Sequence, residues 1–479
     1  MLCSAFVACD KDDSPANTNV SDNTDVTVTE GAEELGIPLT GDFGGEEFRI
    51  LSAGNQACND FNYEEESNLS LDNAQYKRKL KVEEDYKIKI TEDVEAKYSS
   101  ASSGSPGPGY TKVNTAVNSD TPDYDLCLIA GYDVSQLAQI GYLYDMNSIE
   151  GIDLTKSWWD QNATESLSVR DVVFFTTGDI TVSDNRSAFC IMFNKMLLDE
   201  YDVESPYDLV NEGEWTIEKF GSLCKTVSED LNQDGIFNQN DRYGLLVWDD
   251  SIVGMVNAAG QRCCTINENG QLELTFYNET TLDALTQYVN IAYDTEYALT
   301  FQRYIKSVSD MWQNDQGLFL TALIDNMPKY REMESDFGIL PYPKLTTTQE
   351  NYYTTIAPYN SQFICVPLVV NDIEMTGVIT EALAYYGQTI VTPALYDVTL
   401  VGQSARDEES EEMLDIIFDN LVYDIGYYYQ IGTYNKQLII MLREYNSNFT
   451  SMYDTYKPTA DNKIQQINMF YEEAVSEWK

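Results

Sequence analysis

Residues 230–241, DLNQDGIFNQND, place oxygen-bearing side chains at the spacing of a calcium-coordinating loop. Counting from Asp230 as position 1, Asn232 stands at 3, Asp234 at 5, Gly235 at 6, Ile236 at 7, Asn238 at 9 and Asp241 at 12. Such a loop takes side-chain oxygens from positions 1, 3, 5 and 12, a backbone carbonyl from 7 and a water held at 9, while glycine at 6 permits the turn. Three carboxylates suit a hard dication. Position 12 is Asp, not the bidentate Glu of sensor loops, and the motif occurs once. A helix is expected to enter the loop and the strand YGLLVW to leave it, so the helix pair that a sensor opens is missing. The spacing predicts a structural calcium ion; the plain alternative is a polar turn without metal.

Other chemistry is bounded by composition. The 479 residues include no histidine, which removes Ser-His-Asp and Cys-His catalysis and histidine-held zinc. With 79 acidic and 29 basic residues the formal charge is −50, which repels phosphate backbones and argues against a nucleic-acid partner. Carboxylates could still do acid–base work, but so many give composition no way to single out a pair. None of the nine cysteines forms a C-x-x-C pair, and most sit in apolar runs such as DLCLIAG, AFCIMF and QFICVPL, as buried small hydrophobes do. Adjacent Cys263 and Cys264 receive no role.

The elements that must position these groups follow from pattern. EEFRILSAG (46–54) and DYDLCLIAG (123–131) are short apolar runs that predict buried strands. Between them LSLDNAQYKRKLKVEEDYKIKI predicts a helix, with Leu71, Ala74, Leu80 and Val82 on one stripe, then a strand from the Lys-Ile alternation; SSASSGSPGPGY (99–110) is a loop by composition and VNTAVNS a short helix. SQLAQIGYLYDM predicts a helix behind the second run. Strand, helix, strand, helix implies a mainly parallel, right-handed α/β sheet. VVFFTTGDI (172–180) and SAFCIMFN (187–194) predict two further strands, and EWTIEKFGSLCKTVSEDL an amphipathic helix with Ile217, Phe220, Leu223, Cys224 and Val227 on one face. YGLLVW, FGILPYPK and SQFICVPLVV are strands; EALAYYGQTIV, SEEMLDIIFDNLVYDIG and NKIQQINMFYEEAVSEW are helical. At this length two domains are expected.

Several stretches, in this order, resemble a family 1 extracellular solute-binding protein of ABC importers, the maltose-binding-protein-like type. They are GDFGGEEFRILSAG, LDNAQYKRKLKVEEDYKIKI, DYDLCLIAGYDVSQLAQIGYLYDM, FCIMFNKMLLDEYDVESPYDL with EWTIEKF, DFGILPYPKLTTTQENYYTT, and ARDEESEEMLDIIFDN. The resemblance implies an α/β, two-lobe, periplasmic-binding-protein-like (type II) fold with discontinuous lobes and an interlobe hinge. Lobe one is expected at 43–175 and 350–400, and lobe two at 176–349 and 401–479. FVAC, ending at Cys9, is similar to a bacterial lipobox. Residues 1–9 then read as residual signal and lipobox, Cys9 as the lipidation site, and polar residues 10–42 as a disordered tether. Only eight residues precede Cys9, fewer than a secretory signal occupies, so a start codon called late or a trimmed fragment is expected.

The same resemblance implies a receptor on the extracellular face of the cell membrane, monomeric and lipid-anchored. It would deliver a solute, with an oligosaccharide expected, to ABC permease subunits. The ligand would lie between the lobes, with aromatic rings against sugar faces and polar groups at hydroxyls. Candidates by position are Asn55 after the first strand, Tyr132 and Asp133 after DLCLIAG, and Asp184, Asn185 and Arg186 between the two hinge-region strands. Trp158, Trp159, Trp312, Tyr359 and Asn360 complete the set. Each has a plain reading as packing or as a local ion pair, and Trp215 is expected in the core. Two other functions stay open: a surface carbohydrate-active enzyme using a carboxylate pair such as Asp133 and Asp184, and a calcium-dependent surface interaction module.

Overall fold

The computed structural model describes residues 35–54, 59–96, 106–300, 308–400 and 408–478. Asn55, Cys9 and most of the expected tether lie outside the described residues. The strands are, in chain order, β1 (Glu46–Ala53), β2 (Ile88–Glu95), β3 (Leu126–Ala130), β4 (Phe189–Asn194), β5 (Ser228–Glu229), β6 (Arg242–Val247), β7 (Cys264–Ile266), β8 (Leu272–Leu274), β9 (Ala298–Thr300), β10 (Gly317–Leu323), β11 (Phe337–Leu340), β12 (Thr354–Thr355), β13 (Gln362–Cys365) and β14 (Leu421–Val422).

Two main sheets form. The first has the order β13-β3-β1-β2 and the second β11-β4-β10-β6-β5, with β9 also on β6. In the first sheet β1 runs parallel to β2 and β3, and the late strand β13 adds antiparallel to β3. Every residue of β3 is buried, which is why LCLIA reads as an unbroken apolar run, whereas the edge strand β2 buries Ile88 and Ile90 and exposes Lys89. The helix Ser70–Tyr86 packs on this sheet through Val82 and Tyr86, while Leu71 and Ala74 face Val391, Ala394 and Leu395; Leu80, expected on the same stripe, is exposed. The helix Ile373–Tyr386 packs beside it, with Tyr386 Oη donating to Asp85 at 2.9 Å. The second sheet is covered by the helix Ile217–Cys224, capped where Thr216 Oγ1 accepts from Lys219 N at 3.2 Å. It buries Ile217, Phe220, Leu223 and Cys224.

Between the sheets the chain crosses through Ser183–Arg186 and again on the way from β11 to β13, and the helix Glu408–Asp419 packs against β11. At the crossings β12 pairs in parallel with β14, and Ala188 bridges Ile356. The C-terminal helix Phe449–Trp478 brings Tyr471 against Phe174, the rings tilted at 46° with centroids 5.3 Å apart, and its hydroxyl 2.6 Å from that of Tyr429.

Four expectations differ from the fold. VVFFTTGDI is not a strand; it makes single bridges, Val172 to Val169, Thr176 to Ile364 and Gly178 to Trp159, and buries its apolar side chains without a ladder. Residues 108–110 open the helix Pro108–Ser119, Pro108 supplying a first-turn residue that needs no N–H partner. Residues 35–42, expected in the tether, are packed: Leu35 and Ile37 are buried, and Pro38 O accepts from Tyr86 Oη at 2.7 Å. The calcium-type loop is entered from β5, not from a helix, and joins β5 to β6 as a hairpin with Glu229 opposite Arg242. Among the described residues no helix is long and apolar enough to cross a membrane.

Candidate functional site

A cleft of about 230 Å³ opens where the carboxyl ends of β3 and β6 face each other. Ligand crevices in open α/β sheets form at such strand ends. Tyr132, two residues past β3, forms one wall and Asp250, three past β6, the opposite one. Tyr359, in the crossing between β12 and β13, lies between them. The helix Tyr434–Glu444 supplies the remaining wall with Asn435 and Ile439, flanked by Lys436 and Ile440, and Arg443 one turn further on; Gln430 precedes it. Asn435 Nδ2 donates to Tyr132 Oη at 2.6 Å, joining the helix to the first sheet's wall.

The cleft's charges are interlocked. Arg443 Nε donates to Oδ2 of Asp249, which is 1 % exposed. Burial, and then the negative charge of Asp249, push the neighbouring Asp250 carboxyl up to about 7. Arg443 and a hydrogen bond from Tyr359 pull against that rise. The cleft thus offers two phenol rings, two isoleucines, amides, a carboxyl and two cations, enough to cover apolar faces and to meet hydroxyls.

Of the residues expected at a ligand, Tyr132 and Tyr359 line this cleft and the other described ones do not. Asp133 is buried and accepts from Gly107 N at 2.9 Å and Tyr110 N at 3.2 Å, holding the start of the helix Pro108–Ser119. Trp158 and Trp159 are buried in the first lobe's core, and both indole N–H groups donate to Glu381 at 3.0 Å. Trp312 is buried against Tyr330 and Phe337. Asp184 is buried; its Oδ2 accepts from Thr177 Oγ1 at 3.0 Å and from Tyr423 Oη at 3.4 Å, and burial followed by the charge of Asp160 pushes it up to about 8. Asn185 is half-buried beside it in the turn Ser183–Arg186, Arg186 pairs through Nε with Asp325 at 2.9 Å, and Asn360 Nδ2 donates to Ser187 Oγ at 3.0 Å. Sequence reasoning missed Asp250 and the whole helix Tyr434–Glu444. Asp250 carried a usable signal, since it follows YGLLVW as Tyr132 follows DLCLIA; the helix carried none.

In the calcium-type loop Asp230 Oδ2 accepts from Gly235 N at 2.7 Å, and Gly235 sits at φ +78°, where a side chain would be strained. Asp241 is buried and accepts from Leu231 N at 3.2 Å and Asn238 N at 2.8 Å. Asp230 Oδ1 is buried without a hydrogen-bond partner. Among the described residues no three acidic, cysteine or histidine side chains already converge as a metal cluster.

Solved structures similar to this chain include sugar-binding proteins. The galacto-N-biose-/lacto-N-biose I-binding protein of Bifidobacterium longum is 12 % identical over 88 % of this chain and 98 % of its own, with a TM-score of 0.56. An ABC substrate-binding protein of Listeria monocytogenes in complex with cycloalternan is 15 % identical over 89 % and 99 %, at 0.53. The maltose/maltodextrin-binding domain of Bdellovibrio bacteriovorus, bound to maltotriose, is 13 % identical over 90 % and 100 %, at 0.52. No curated protein matches the sequence. These likenesses establish the two-lobe type II fold. Residues 76–362 match the sequence profile of the family described as bacterial extracellular solute-binding protein, and the chain belongs to that family.

Proposed function

We propose that the protein captures a carbohydrate in the cleft between its lobes and delivers it to the permease of an ABC importer. The observation that carries this is the cleft itself: strand ends of two sheets face each other, with tyrosines and isoleucines among hydrogen-bonding side chains. Rings and aliphatic surface cover sugar faces while the polar groups take hydroxyls. Closure of the lobes about the crossings at β12 and β14 is the expected motion. The carboxylates that the enzyme reading placed across a bond, Asp133 and Asp184, are both buried and engaged away from the cleft.

Thermal-shift measurements over mono- and oligosaccharides test the proposal. A saccharide that raises the melting temperature supports it, and a panel that leaves the temperature unmoved sinks the carbohydrate assignment. On the same reading the receptor is monomeric, sits on the extracellular face of the membrane and is anchored by a lipid at Cys9. The mass of the N-terminal peptide isolated from host membranes tests the anchor.

We also propose that the loop Asp230–Asp241 binds calcium as a brace for the β5–β6 hairpin. Asp230, Asn232, Asp234 and Asp241 would supply side-chain oxygens, Ile236 its carbonyl and Asn238 a held water. What supports it is the spacing together with the unpartnered, buried Asp230 Oδ1. Calcium at about a hundred times its dissociation constant would stabilise by about 2.7 kcal/mol. The melting curve should therefore shift down with a chelator in the wild type and not in Asp230→Asn; an unmoved wild-type curve removes the ion.

A further inference from the structure

We infer that the cleft takes a single sugar ring, its hydroxyls met by Arg443 and Asp250, with the buried Asp249 as the residue that positions Arg443. This rests on the carbohydrate reading and narrows it. The cleft's volume, about 230 Å³, falls below the range of about 300–1,000 Å³ of pockets for drug-sized ligands. That is room for one ring with its hydroxyls, not for several rings end to end.

The pattern along the helix says the same. Asn435, Ile439 and Arg443 recur every four residues and form one stripe facing the cleft. At the helical rise the stripe is about 12 Å long. It is polar at both ends and aliphatic in the middle, as a ring needs when its C–H face rests on Ile439 and its hydroxyl edges reach outward. Its two polar ends are held in place, Asn435 by its bond to Tyr132 at 2.6 Å and Arg443 by its bond to Asp249.

Asp249 does not line the cleft. It is 1 % exposed, gives one oxygen to Arg443 Nε and has the other, Oδ1, buried without a partner. A buried carboxylate is costly unless paired, and Arg443, whose side chain is 44 % exposed, is the cation that pairs it. The pair fixes the guanidinium beside Asp250 before ligand arrives, so less side-chain freedom is lost on binding.

The test uses the full chain and isothermal titration with glucose, galactose, mannose and xylose, and with the di-, tri- and tetrasaccharides built from them. A monosaccharide should bind, and lengthening it to three units should improve affinity by no more than about threefold. A tri- or tetrasaccharide that binds more than about tenfold tighter than its monomer overturns the inference while leaving the carbohydrate reading intact. No binding by any saccharide overturns both. For Asp249, monodeoxy analogues of the sugar that binds are compared. In the wild type, losing the hydroxyl that Arg443 meets should cost at least about tenfold. In Asp249→Ala that discrimination should vanish, and Asp249→Asn, which keeps an acceptor, should restore part of it. If Asp249→Ala weakens parent and deoxy sugars in the same ratio, with its melting temperature recorded alongside, the residue is structural and the positioning role falls.

Discussion

At Asp184 the chain holds a buried carboxyl in a half-buried turn, with Asp160 near it and Tyr423 Oη bonded to Asp160 Oδ2 at 2.8 Å and to Asp184 Oδ2 at 3.4 Å. Its pKa rises from 3.8 to about 8. Between those values the folded protein keeps a proton that the unfolded chain has released, so stability falls as pH rises through this window and levels off above about 8. Asp184→Asn, which needs no proton to be neutral, should be more stable than wild type at pH 7 and show a shallower decline between pH 4 and 8, read from urea midpoints. An unchanged slope would mean that another group carries it. The sequence made Asp184 look like a ligand because Asp-Asn-Arg offers donors and acceptors; burial reassigns it. Tyr132 and Tyr359 were legible because they lie at the edges of apolar runs. Arg443 was not, since YNKQLIIMLRE reads like any surface helix and its partner Asp249 is 194 residues away.

Among elements, β6 approaches the end of the helix Ile217–Cys224 closely at Gly244. A Cβ on Gly244 would stand 1.7 Å from Cys224 O. That contact is why YGLLVW carries its glycine in a strand, where glycine is otherwise unfavourable. Gly244→Ala should push the helix off the sheet at a cost of about 3 kcal/mol. The same shift disturbs β5, which pairs Ser228 with Tyr243, and with it the entry to the calcium-type loop. Urea unfolding of the variant checks the first effect; a wild-type midpoint would show that the strand can yield. Strands with continuous apolar runs, β1, β3, β4, β6 and β11, were readable because burial on both faces writes itself into composition. The segment 172–180 has the same composition without being a strand, because burial requires apolar side chains whether or not a neighbour offers a full ladder.

Across the whole molecule the charge of −50 and the buried acids act together. Besides Asp184, burial pushes Asp179 up to about 6 and Glu92 and Glu381 up to about 7. Each favours the protonated folded form, so each contribution is lost as pH climbs from the carboxylate range towards neutrality. Self-repulsion of the surface acids grows over the same acidic range. Melting temperatures should therefore be higher at pH 5.5 than at pH 8 in low salt. Added sodium chloride, which screens exposed charges and hardly reaches buried ones, should narrow the gap without closing it. Complete closure in high salt would show that the buried carboxyls do not contribute. The parallel α/β sheet was legible in the order of apolar runs, because alternation of strand and helix admits few topologies, while the two-lobe plan was legible only through the family resemblance of the ordered stretches.

The placement of the tryptophans has an optical consequence. Trp158, Trp159, Trp215 and Trp312 are each at most 1 % exposed and sit in the lobe cores. Trp248, packed on Phe189 at 4.9 Å, precedes the cleft residue Asp250 by two positions in the chain. Intrinsic emission will thus report loss of the cores faithfully while registering an arriving sugar through little more than one ring, against a bright and unresponsive background. Substituting phenylalanine at the four core positions would clear that background but strip the indole donors from Glu381, so a reporter dye at the cleft rim is the better probe of occupancy.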